Sequence, residues 1–87
     1  MIEAAEVFLH ELGIRECRVR LHEGELARIE VPVGELARIA APAARTELAH
    51  RFRELGFRFV TLDLEGFRSG SLNELVDVEI KQKFAVP

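Results

Sequence analysis

Arg68, Ser69 and Ser71 stand within four residues of one another, between and beside Gly66 and Gly70, in the stretch FRFVTLDLEGFRSGSLN that runs from Phe57 to Asn73. One guanidinium, two hydroxyls and two residues free to take backbone conformations closed to others make up the inventory that an oxyanion, most often a phosphate, requires. A second reading needs no ligand. Ser71-Leu72-Asn73-Glu74 has the spacing of a capping box, in which the Ser hydroxyl bonds the N3 backbone N–H and the Glu reaches back. The two readings are compatible, because a capped helix start still leaves N–H groups free to face an anion.

A second cationic group lies far upstream. Cys17, Val19 and Leu21 alternate with Arg18, Arg20 and His22, so a strand would put Arg18 and Arg20 on one face. Neighbouring guanidiniums repel, and that repulsion falls when an anion or an acid sits between them. Arg28 and Glu30, on the opposing strand of a hairpin, are the cross-strand candidates. Spacing alone leaves two outcomes open: a solvent-facing salt-bridge ladder through Glu30, or an anion site. Asp63 and Glu65 bracket the end of the apolar run, and acids near clustered arginines serve either charge balance or a divalent metal beside phosphate oxygens. Glu30 and Asp63 are the candidate metal ligands.

These groups must be positioned by the elements around them. Ile2, Ala5, Phe8, Leu9 and Leu12 recur at helical spacing, and Gly13 sits where a C′ residue belongs, which predicts an amphipathic helix over 1–13. A hairpin follows over 15–32, turning at Glu23-Gly24. A short helix over 35–40 ends before Pro42, which cannot sit in a helix interior, and a longer helix runs over 43–55 to Gly56. Its stripe is Leu48, Phe52 and Leu55, with Glu47 placed to pair with Arg51. Phe57 to Leu64 reads as a strand covered on both faces, hence an inner one. Val76, Val78 and Ile80 alternate with Asp77, Glu79 and Lys81, which allows an extra C-terminal strand. The order helix, strand, strand, helix, strand gives an α+β fold, close to a ferredoxin-like half, with helices on one face of a mainly antiparallel sheet. A right-handed crossover into the Phe57 strand makes it parallel to one hairpin strand, and the ends of the Arg18 and Leu64 strands then meet.

Composition bounds the function. Eighty-seven residues make one small domain, and a formal charge of −3 gives no basic face for nucleic acid, so any anion site must be local. No stretch has the length of a membrane span, and the N-terminus lacks a leader pattern, so a cytoplasmic protein is expected. Cys17 is the single cysteine, which rules out an internal disulfide. Arg15 and Arg18 beside it would lower its pKa, although an inert, small apolar role is the simpler expectation. No Ser/His/Asp, Cys/His or paired-carboxylate set stands out.

VTLDLEGFRSGSLNE together with RVRLHEGELARIEVP resembles the C-terminal domain of PP-loop ATP pyrophosphatases of the LarE type, the ATP-dependent sacrificial sulfur transferases that help build the nickel-pincer nucleotide. The likeness runs from about Ala4 to Val76, giving a domain over 1–76 and a tail or extra strand over 77–87. It implies that Arg18, Arg20 and Arg68 hold the phosphate of a mononucleotide, with Ser69 and Ser71 orienting it. It further implies a homo-oligomer, a PP-loop ATP pyrophosphatase domain as partner, and a sacrificial cysteine in a segment other than that of Cys17. The residues given contain no SGGxDS-like loop and no PCLxSR-like segment, so no catalysis is expected of them alone. The alternative is a stand-alone oligomerisation or protein-interaction module without a ligand.

Overall fold

The computed structural model describes residues 1–67. The elements are α1 (Ile2–Glu11), β1 (Arg18–His22), β2 (Leu26–Glu30), α2 (Val33–Ala40), α3 (Pro42–Glu54) and β3 (Phe59–Leu62). This is an α+β arrangement with the strand order β1-β2-β3. Arg68, Ser69, Ser71 and the possible strand over 76–81 lie outside the described residues.

Each element follows from a local cause. α1 buries Ala5, Phe8 and Leu9, the inward side of the apolar stripe. It stops because Gly13 takes φ +91°, a conformation in which a Cβ would be strained, and the Gly13 N–H closes on the His10 carbonyl. The break between α2 and α3 lies at Ala41, whose φ and ψ of −62° and 149° are extended, the conformation that a following proline enforces. Pro42 is then the first residue of α3, where its missing N–H is no loss. Arg51 does not pair with Glu47; its guanidinium lies 3.6 Å from Glu54 and 6.0 Å above the Phe8 ring.

The sheet is mixed. β1 and β2 are antiparallel, with Arg18 opposite Glu30 and Arg20 opposite Arg28, and β2 and β3 are parallel, with Arg28 opposite Thr61. Helices α1 and α3 cover one face, where Val19, Ala27, Ile29, Ile39, Leu48 and Phe52 form the core with Phe8 and Leu9. The expectation of an inner strand at 57–64 needs correcting. Among the described residues β2 is central and β3 is an edge, with Phe59 54% exposed. Phe57 explains the misreading: its N–H bonds the Phe52 carbonyl, so it still belongs to the end of α3. Its ring stacks on Phe52 with centroids 5.4 Å apart. An apolar residue that plugs the core from a helix–strand turn looks, in sequence, like the start of a buried strand.

Candidate functional site

Period-two alternation puts Arg18, Arg20 and His22 of β1 and Arg28 and Glu30 of β2 on the face opposite the helices. β3 runs parallel to β2, so its C-terminal end reaches the same end of the sheet as Glu30, and the Asp63 N–H donates to the Ile29 carbonyl at 2.9 Å. The Arg18 end of β1 and the Leu64 end of β3 lie at the same end of the sheet, with β2 between them. They border an open concavity of about 830 Å³ lined by Arg18, Arg20, Arg28, Glu30 and Asp63, with Gly66 at its rim.

Arg28 is the hub of this surface. Its Nη1 donates to Glu30 Oε2 at 2.8 Å and to Asp63 Oδ2 at 2.6 Å, and its Nε donates to His22 Nε2 at 3.1 Å. The clamp therefore ties β1, β2 and the segment after β3 through one side chain. The Arg28 guanidinium lies between Glu30 and Asp63, the two candidate metal ligands, and donates to both. Among the described residues no group of three or more His, Cys, Asp or Glu converges as a metal site requires.

The two arginines of β1 are spent unequally. Arg20 Nε lies 3.5 Å from Glu30 Oε1, and its side chain is 48% exposed. Arg18 makes no ion pair among the described residues. Part of the salt-bridge ladder thus exists, yet it consumes Arg28 rather than Arg18. Glu30 itself is buried, at 4% exposure, an unusual place for a carboxylate unless cations hold it.

Two further residues shape the site: Glu6, which the sequence did not single out, and Gly66, which it did only for its backbone freedom. Glu6 of α1 accepts from the Val19 N–H at 3.0 Å, which satisfies a donor on the outer edge of β1. Gly66, with φ +82°, lets the chain pass close over the β2–α2 link: an added Cβ would lie 2.8 Å from the Val31 carbonyl oxygen and 2.8 Å from Val33 Cγ2. The Phe67 N–H then donates to the Val31 carbonyl at 2.8 Å. These contacts fix where the segment leading to Arg68 starts. A glycine and an acid at those positions are visible in sequence, but their partners are remote in the chain.

At Cys17 the lowering expected from the neighbouring arginines does not prevail, and the simpler, inert role fits. Its thiol pKa is raised, first by burial and then by Glu6, with Arg18 opposing. Desolvation outweighs the neighbouring cation, so the thiol stays protonated near neutral pH. No helix among the described residues is long and apolar enough to cross a membrane.

No family model matches the chain. It is 42% identical over 73 residues, 84% of this chain and 25% of the relative, to the pyridinium-3,5-bisthiocarboxylic acid mononucleotide synthase of Lactiplantibacillus plantarum, a LarE protein. It is 43% identical over 72 residues, 83% of this chain and 26% of the relative, to an uncharacterized protein of Synechocystis sp.. The chain spans about a quarter of the length of the curated relatives it matches. The LarE relationship expected from the sequence is thus found over most of this chain.

Proposed function

We propose that these residues form the phosphate- or mononucleotide-binding domain of a LarE-like sacrificial sulfur transferase of the PP-loop ATP pyrophosphatase superfamily. ATP activation and sulfur donation fall to a PP-loop domain, carried elsewhere in the same protein or by a partner. The role of this domain is electrostatic: Arg18, Arg20 and Arg68 grip a phosphate, and Ser69 and Ser71 orient it.

The observation that carries the reading is the unspent donor set. Arg28 holds both Glu30 and Asp63, and Arg20 approaches Glu30 through Nε, so the guanidinium of Arg18 and the outer nitrogens of Arg20 remain for a guest in the concavity that the Gly66 segment borders. The name of the Lactiplantibacillus plantarum relative describes synthesis of a mononucleotide, and a mononucleotide carries a phosphate monoester, the guest such donors suit. Calorimetric titration with a nucleoside monophosphate tests this. Arg68→Ala and Arg18→Ala are each expected to abolish measurable binding, and unchanged affinity in either variant removes that residue from the site.

A further inference from the structure

We propose that Arg28 binds the guest of the concavity as well as clamping the strands, and that His22 is the positioning residue that aims it. The inference rests on the anion-binding reading given above. A guanidinium carries five N–H groups in one planar fork. Arg28 engages His22 Nε2 through Nε at 3.1 Å, and Glu30 Oε2 and Asp63 Oδ2 through Nη1 at 2.8 and 2.6 Å. Its Nη2, with two N–H groups, makes no hydrogen bond among the described residues. The side chain lines the concavity and is 35% exposed, so the unused edge of the fork is open to a guest. Strand register sets Arg20 directly opposite Arg28, on the same face of the sheet.

Two guanidiniums facing each other across a strand pair repel, and an anion that bridges them removes the repulsion. Both acids meet Nη1, which leaves Nη2 and the outer nitrogens of Arg20 for that bridge. A phosphate monoester has three terminal oxygens, enough to meet Arg18, Arg20 and Arg28 together. The arginines differ in what binding costs them. Arg18 has no ion pair among the described residues and Arg20 is 48% exposed, so each must be ordered when a guest arrives. Arg28 is already held by three partners, and its donors are ordered in advance. His22 completes that hold: the carboxylates fix Nη1, and the imidazole fixes Nε and hence the plane of the fork. Because Nε2 of His22 accepts, its ring proton lies on Nδ1 and the imidazole is neutral.

The test is calorimetry with adenosine monophosphate on the 87-residue chain and three variants. Arg28→Lys keeps a charge to face the acids but loses the Nη2 donors, and binding is expected to weaken about tenfold or more. His22→Phe keeps a ring and loses the acceptor, with an expected weakening of about two- to tenfold. His22→Gln, whose amide oxygen can stand in for Nε2, should restore the affinity, which a merely structural ring would not do. Unchanged affinity in folded Arg28→Lys overturns the assignment to Arg28. Wild-type affinity in His22→Phe, or no recovery in His22→Gln, overturns the aiming role of His22. Should Arg28→Lys fail to fold, the two His22 variants decide alone. If the wild type does not bind adenosine monophosphate, the anion-binding reading falls and this inference with it.

Discussion

Arg28 Nη1 reaches Glu30 and Asp63 at 2.8 and 2.6 Å, so truncating it leaves a carboxylate that is 4% exposed with only the looser Arg20 contact. Arg28→Ala is expected to destabilise the fold by about 3 kcal/mol, since removing one partner strands the other as a buried charge; denaturant unfolding reads it. A loss near that of an exposed pair, under about 1 kcal/mol, would show that the clamp is not stabilising. Cys17 has its own signature. Its folded pKa lies above the unfolded-chain value of about 8.5, so the native state holds its proton longer. Stability from this group is fully present below the unfolded value and lost as pH rises through it toward the folded one. Reaction with a thiol reagent at neutral pH should be slower in the folded chain than in urea, and equal rates would contradict the raised pKa.

At the scale of elements, the segment after β3 is fixed by one residue without a side chain. Gly66→Ala puts a Cβ 2.8 Å from the Val31 carbonyl oxygen at φ +82°, and backbone at that point cannot give way as a side chain tip could. A loss of about 1–3 kcal/mol is expected, together with weaker nucleotide binding because the approach to Arg68 shifts. Stability and affinity measured on one sample separate the two effects. α3 offers the contrasting case, where the core itself is probed. Phe52 is fully buried, with Phe57 stacked at 5.4 Å and Phe8 edge-on at 6.5 Å, so Phe52→Ala should lower stability by about 3–5 kcal/mol. The helical stripe around Phe52 was legible in the sequence because a period of 3.6 needs only local spacing. The place of Phe57 was not, because a turn residue that plugs a core and a strand residue that faces one have the same composition.

At the scale of the whole molecule, Phe59, Val33 and Leu64 are 54%, 62% and 80% exposed, and β3 is an edge among the described residues. An oligomer that uses the sheet edge or the tail would cover such surface. Light scattering with and without residues 76–87 should show association in the first case; a monomer in both ends the assembly reading. The amino-acid sequence by itself determined the helices, the hairpin, the glycine stop after α1, the shared face of Arg18 and Arg20 and the relationship to LarE proteins, because each depends on spacing within a short span. Only the tertiary structure decided that Arg28 rather than Arg18 holds the acids and that, among the described residues, β2 is the central strand and one oxygen of Glu30 has no hydrogen-bond partner. Those outcomes turn on the parallel register of β2 with β3, which brings Asp63 beside Arg28 across 35 positions of chain. Contacts of that range are set by how the core closes, and no local pattern encodes them.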